Sequence, residues 1–202
     1  MGFGILLVGY FFAYLMANIS PAFAFAGAYL MILGAIKLKD YNTKFSYVIY
    51  PSGAIMLIAL KDTVLDILSI FGTEPAFFGL PAVETVFNLM QIGAAVLLHL
   101  TLYLAVADIA SEVGVDKIRV SAWRNLWFFI AYTAICAVRY LPISYGDVFL
   151  SYLNLIIRFM QLLWIFFSIF MLFSCFRNIG DKEKVEMEMA EYEDDEGGKN
   201  NG

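Results

Sequence analysis

Lys61, Asp62 and Asp66 stand inside an otherwise apolar run, and three further apolar runs carry polar side chains at helical spacing. Glu84, Asn88, Gln91 and His99 are four, three and eight residues apart, which places them on one face at about 3.6 residues per turn. Asp147, Ser151, Asn154, Arg158 and Gln161 follow at four, three, four and three, again on one face. Asn125, Tyr132, Cys136 and Arg139 make a third stripe. In hydrocarbon such groups would be unsatisfied, and a charge at the bilayer centre costs at least about 2.5 kcal/mol, so the stripes are expected to turn inward. Interhelical hydrogen bonds return only about 0.6 kcal/mol on average, too little to account for so many charges by packing alone.

The chemistry this set could perform is recognition. The candidate binding residues are Lys61, Asp62, Asp66, Glu84, Asn88, Gln91, Arg139, Asn154 and Arg158. Carboxylates, cations and amides together suit a small polar or zwitterionic solute, and Arg158 is expected to pair with Asp62, Asp66 or Glu84. His99 is the chain's one histidine. With no cysteine or second histidine at ligand spacing it makes neither a zinc nor a haem site. It reads first as a hydrogen-bonded core residue and second as a proton relay. No nucleophile elbow, phosphate-binding glycine loop or metalloprotease helix is present, so no catalytic residue, metal or cofactor is assigned. Cys136 and Cys175 fall toward opposite ends of their helices, which argues against a disulfide between them.

These residues are carried by six long apolar stretches. Of the 202 residues 61% are hydrophobic and 15% charged, against about a quarter charged in soluble domains. The expected fold is all-α, a polytopic bundle of six transmembrane helices over residues 1–176. The helices fall at about 3–17, 21–36, 45–71, 81–107, 121–141 and 147–175. Ser20 as N-cap and Pro21 at the first helical position mark the start of the second helix. Gly72 stops the third, Pro81 opens the fourth, which protrudes toward Gly114, and Ser121 can cap the fifth. A cleaved signal peptide fits poorly, because no basic region precedes the first apolar run and apolar sequence continues beyond Ala22-Phe23-Ala24. No Asp, Glu, Lys, Arg or His lies between Met1 and Lys37, so the first two helices are read as having no chemistry. Ala13, Ala17, Gly27 and Gly34 allow them to pack closely.

The bases set the orientation. Lys37, Lys39, Lys44, Lys117, Arg119, Arg124, Arg177, Lys182, Lys184 and Lys199, ten of the 13, fall at alternate breaks and in the tail. This predicts a multi-pass protein of the cell membrane with both termini cytoplasmic. Residues 177–202 hold nine acids and four bases and are expected to form a largely disordered cytoplasmic tail.

The functional expectation is solute binding or transport, alone or as a transporter subunit, through a polar pocket open to the exterior. The expected partners are the lipid bilayer, a small polar or zwitterionic solute, and a partner membrane subunit or cytoplasmic protein; nucleic acid is not among them. One alternative is a non-catalytic sensor or scaffold acting through the acidic tail. The other is a membrane-embedded enzyme using Asp62, Asp66 or Glu84 with His99. That one is the weaker, since Glu84 and His99 lie about 22 Å apart along their helix.

Overall fold

The computed structural model describes residues 2–73, 80–138 and 146–179, and among them every regular element is helical. The six helices are α1 (Gly2–Tyr14), α2 (Pro21–Leu38), α3 (Ser46–Ile70), α4 (Pro81–Glu112), α5 (Asp116–Val138) and α6 (Asp147–Asn178), with short 3-10 turns before α2 and α3. Three of them are long and apolar enough to span a membrane: α2, α4 over Ala82–Glu112 and α6 over Val148–Asn178. α1 with its following turn is a shorter apolar helix. Arg139, the loop around Pro75 and the tail from Gly180 lie outside the described residues.

Local sequence explains most of the boundaries. The Ser20 hydroxyl accepts from the Ala22 amide at 3.3 Å, and Pro21 takes the first helical position, where its missing N–H goes unneeded. α3 and α4 both end in a glycine with positive φ, Gly72 at 68° and Gly114 at 74°. Behind each, amides return to the last turn: Thr73 to the Leu68 carbonyl at 3.1 Å, and Val115 to the Ala110 carbonyl at 2.8 Å. This stop at Gly114 lets α5 begin at Asp116, five residues before the expected Ser121 cap. Asp116 puts a carboxylate in the first turn, where the helix dipole favours it, and Ser121 lies inside the helix, accepting from Arg124 at 3.2 Å.

Each helix packs on its neighbours in chain order, and α6 returns to α1, closing a ring. The α1–α2 pair is the tightest contact. A Cβ at Gly27 would strike the backbone of Ala13 and Gly9, and one at Gly34 would lie 2.8 Å from the Leu6 amide nitrogen. Of the small residues picked out in the sequence, Gly27, Gly34 and Ala13 therefore serve packing of this pair, and Ala13 and Ala17 border the cavity described below.

Helix lengths make the ring uneven. At about 1.5 Å per residue α1 rises roughly 20 Å, whereas α4 and α6 each rise about 48 Å. At the Lys37–Lys44 end the ring is filled by Phe3, Leu6, Leu38, Phe45, Val48, Val106 and their neighbours, with Phe3 edge-on to Phe45 at 5.7 Å. At the other end α3, α4 and α6 run on past the α1–α2 turn, and no residue of α4 from Ala82 to Gly93 is buried.

Candidate functional site

Where the short hairpin stops, a cavity of about 300 Å³ opens, lined by Tyr14 at the end of α1, Asn18 of the turn that follows it, Asp62 of α3, Gln91 of α4 and Gln161 of α6. Its apolar lining comes from small residues such as Ala13, Ala59 and Ala95. α3 continues about 12 Å beyond Asp62, and α4 and α6 begin about 15 and 21 Å before Gln91 and Gln161. The cavity thus lies well below the ends of the long helices. One carboxylate, three amides and a phenol around small apolar residues is a lining of the kind that orients a small polar molecule.

Asp62 is held by Lys61, whose ammonium lies 2.8 Å from the carboxylate and 4.5 Å from the centre of the Phe87 ring. Both side chains are partly buried. The carboxylate keeps acceptor capacity after one ion pair, because two oxygens offer about four lone-pair sites. Tyr14 contributes a second open valence: its hydroxyl is buried with no hydrogen-bond partner among the described residues. Leaving such a group unpaired costs about 1–3 kcal/mol, so it marks a place where a partner would be held strongly.

Beneath the cavity, side chains from four helices form a buried polar and aromatic knot. His99 is fully buried. Its Nδ1 lies 2.6 Å from the Ala95 carbonyl, which can only accept, so Nδ1 carries the proton. In the neutral ring Nε2 then accepts from the Tyr10 hydroxyl at 3.1 Å, across the ring from α1 to α4. The Ser168 hydroxyl donates to the Trp164 carbonyl at 2.8 Å, the Tyr103 hydroxyl donates to Ser168 at 2.6 Å, and the Trp164 indole N–H donates to Tyr103 at 2.7 Å. Phe129 stacks on His99 at 4.7 Å, and Tyr132 stacks on Trp164 at 5.6 Å. Tyr14 joins the knot through its ring, 5.0 Å from His99 and 5.5 Å from Trp164, and so links it to the cavity.

Of the candidate binding residues, the structure brings Asp62 and Gln91 to the cavity, with Lys61 behind Asp62. Asp66, Glu84, Asn88, Asn154 and Arg158 are exposed and do not line it. Among the described residues no ion pair joins Arg158 to an acid, so its expected pairing is not formed. α3, α4 and α6 run there past the end of the short α1–α2 hairpin, which leaves these side chains uncovered on that side. Arg139 lies outside the described residues. His99 takes the core position, its nitrogens engaged by Tyr10 and Ala95 and by no carboxylate.

The sequence placed Gln161 on the polar stripe of the sixth helix without making it a binding candidate, and it missed Tyr14 and Asn18 in the cavity and Tyr10, Tyr103, Trp164 and Ser168 below it. α1, read as having no chemistry, supplies Tyr10 and Tyr14 one turn apart, and both face the site. Phenols escaped because only fully charged groups were weighed in that helix. Gln161 continues the α6 stripe inward, and Trp164 and Ser168 follow it at helical spacing. Among the described residues no group of three His, Cys, Asp or Glu side chains could hold a metal ion, and both cysteines are free. No protein-family model, curated protein or solved structure matches the chain.

Proposed function

We propose that this is a multi-pass membrane protein of the cell membrane that binds a small polar or zwitterionic solute in the cavity at Tyr14, Asp62, Gln91 and Gln161, either to carry it or to present it to a transporter partner. All six helices cross the bilayer in this reading, with both termini and the Lys37–Lys44 connection on the cytoplasmic side, because ten of the 13 bases gather there. The cavity then opens to the exterior. The observation that carries the proposal is the pairing of a carboxylate with acceptor capacity to spare and a buried, unpartnered phenol on one small polar cavity. An ammonium of the solute would meet Asp62, and its carboxylate or carbonyl would accept from Tyr14 and the two glutamine amides.

Mild solubilisation followed by mass spectrometry of co-purifying small molecules tests this. A polar solute should accompany the parent and be lost from Asp62→Asn and Gln161→Leu, and it should persist in Asp66→Asn and Asn154→Leu, which alter residues outside the cavity. Equal amounts in the parent and in Asp62→Asn would refute the site.

A further inference from the structure

A second concavity, of about 450 Å³, lies on the side of the bundle between α3, α4 and α5, at the end carrying the Lys37–Lys44 connection. Its floor is the α4 stripe Thr101, Leu104, Asp108 and Ser111, spaced three, four and three, turned away from the buried stripe of Leu98, Leu102, Val106 and Ile109. Tyr47 of α3 and Trp123 of α5 form exposed aromatic walls. Lys44 and Arg119 stand at its polar end. The lining is otherwise largely apolar, and Leu104 is 43% exposed at the bottom of the trough.

An apolar trough open to the side, closed at one end by two cations and flanked by a tryptophan and a tyrosine, has the form of an amphiphile. Aromatic residues of this kind settle at headgroup depth, and basic pockets between membrane helices on the cytoplasmic side take anionic lipid headgroups. Lys44 bridges Asp108 at 2.5 Å and Arg119 bridges Asp116 at 2.9 Å, yet their side chains remain 49% and 46% exposed, so each keeps donors free for a phosphate. The segments that meet at this end of the bundle carry more bases than acids: Lys37, Lys39, Lys44, Lys117, Arg119 and Arg124 against Asp40, Asp108, Glu112 and Asp116.

We infer that this trough retains one phospholipid with an anionic headgroup, its phosphate between Lys44 and Arg119 and an acyl chain along Leu104. The inference is independent of the solute cavity, which lies toward the opposite end of the bundle.

The full-length protein, delipidated in detergent and offered phosphatidylglycerol or phosphatidylcholine of matched chains, would be followed by native mass spectrometry. A basic side chain at an anionic lipid surface is worth about fivefold in binding, and the standing ion pairs offset part of the gain from two. A single phosphatidylglycerol should therefore be retained with about fivefold preference over phosphatidylcholine. Lys44→Gln with Arg119→Gln should remove the preference, while Lys37→Gln with Lys39→Gln should keep it, separating the trough from general attraction to this basic end of the bundle. Lys44 also anchors α3 to α4, so a second variant leaves the charges alone: Leu104→Trp fills the trough from an exposed position and should expel the lipid. Equal retention of the two lipids by the parent, loss of preference in the Lys37 and Lys39 variant, or undiminished lipid in Leu104→Trp would each overturn the proposal.

Discussion

Tyr10 and Tyr14 sit one helical turn apart in α1, with rings 4.7 Å from one another, and their hydroxyls have opposite circumstances. The Tyr10 hydroxyl satisfies His99 Nε2, whereas the Tyr14 hydroxyl has no partner among the described residues. Removing one member of a buried pair leaves the other unsatisfied, at a cost of about 1–3 kcal/mol; removing a hydroxyl that binds nothing costs little. Tyr10→Phe should therefore lower the melting temperature of the detergent-solubilised protein by several degrees, and Tyr14→Phe, which removes an unpaired buried hydroxyl, should keep it or raise it by a few degrees while weakening solute retention. Equal melting of the two variants would mean that the Tyr10–His99 bond contributes nothing. Much of the site was hidden from the sequence for a related reason. Charge or an amide in an apolar run is the visible signal of expense in a membrane, and Asp62 and Gln91 gave it, but a phenol buried among aromatic rings looks like any other core residue until its hydroxyl's partner is known. Glu84, Asn88 and Arg158 shared the right helical faces with Gln91 and Gln161. What periodicity could not supply was the length of the neighbouring helices, and α1 and α2 are too short to cover them.

Among the helices, the punctuation was legible because each mark has a local mechanism. Ser20-Pro21, Gly72 and Gly114 act through the backbone within a turn of their own position, so they hold whatever the tertiary structure does. The start of α5 was misplaced because a serine inside a helix resembles a cap, and the competing signal, an αL glycine followed closely by Asp116, makes the break far shorter. Small residues in apolar helices were legible as packing, and the structure separates those that matter. Gly27→Ala forces a Cβ into the α1 backbone, and Gly34→Ala brings one to 2.8 Å from the Leu6 amide. Gly93, in α4, has nothing within 4 Å of an added Cβ, and alanine there recovers up to about 1 kcal/mol of helix propensity. Gly27→Leu should abolish recovery of monodisperse protein, Gly27→Ala should reduce it, and Gly93→Ala should match or exceed the parent in size-exclusion yield and melting temperature. Normal behaviour of Gly27→Leu would show that α1 and α2 can separate without loss of the fold.

For the whole molecule, the ring couples two unlike ends. The end bearing Lys37–Lys44 is densely packed and tied together by Asn42, which donates to Asp108 at 2.8 Å and to Glu112 at 3.1 Å while Lys44 bridges Asp108. The other end is loosely covered and holds the cavity. Packing of this kind places the rigid part of the bundle beside the basic connections and the open part beside the α1–α2 turn, whatever the orientation in the bilayer. Orientation is then the remaining variable, and the proposed topology, drawn from the base asymmetry, would turn the open end to the exterior. In a background with Cys136 and Cys175 replaced by serine, Ile19→Cys lies in the α1–α2 turn at a position 70% exposed, and Tyr41→Cys lies in the basic connection at one 54% exposed. A membrane-impermeant maleimide applied to intact cells should label Ile19→Cys, and Tyr41→Cys should react only after permeabilisation. The reverse pattern would turn the cavity toward the cytoplasm and make any solute it binds an internal one. Labelling of both from outside would break the six-span reading itself, because the single helix α2 separates the two positions, and it would then lie along the membrane surface instead of across it.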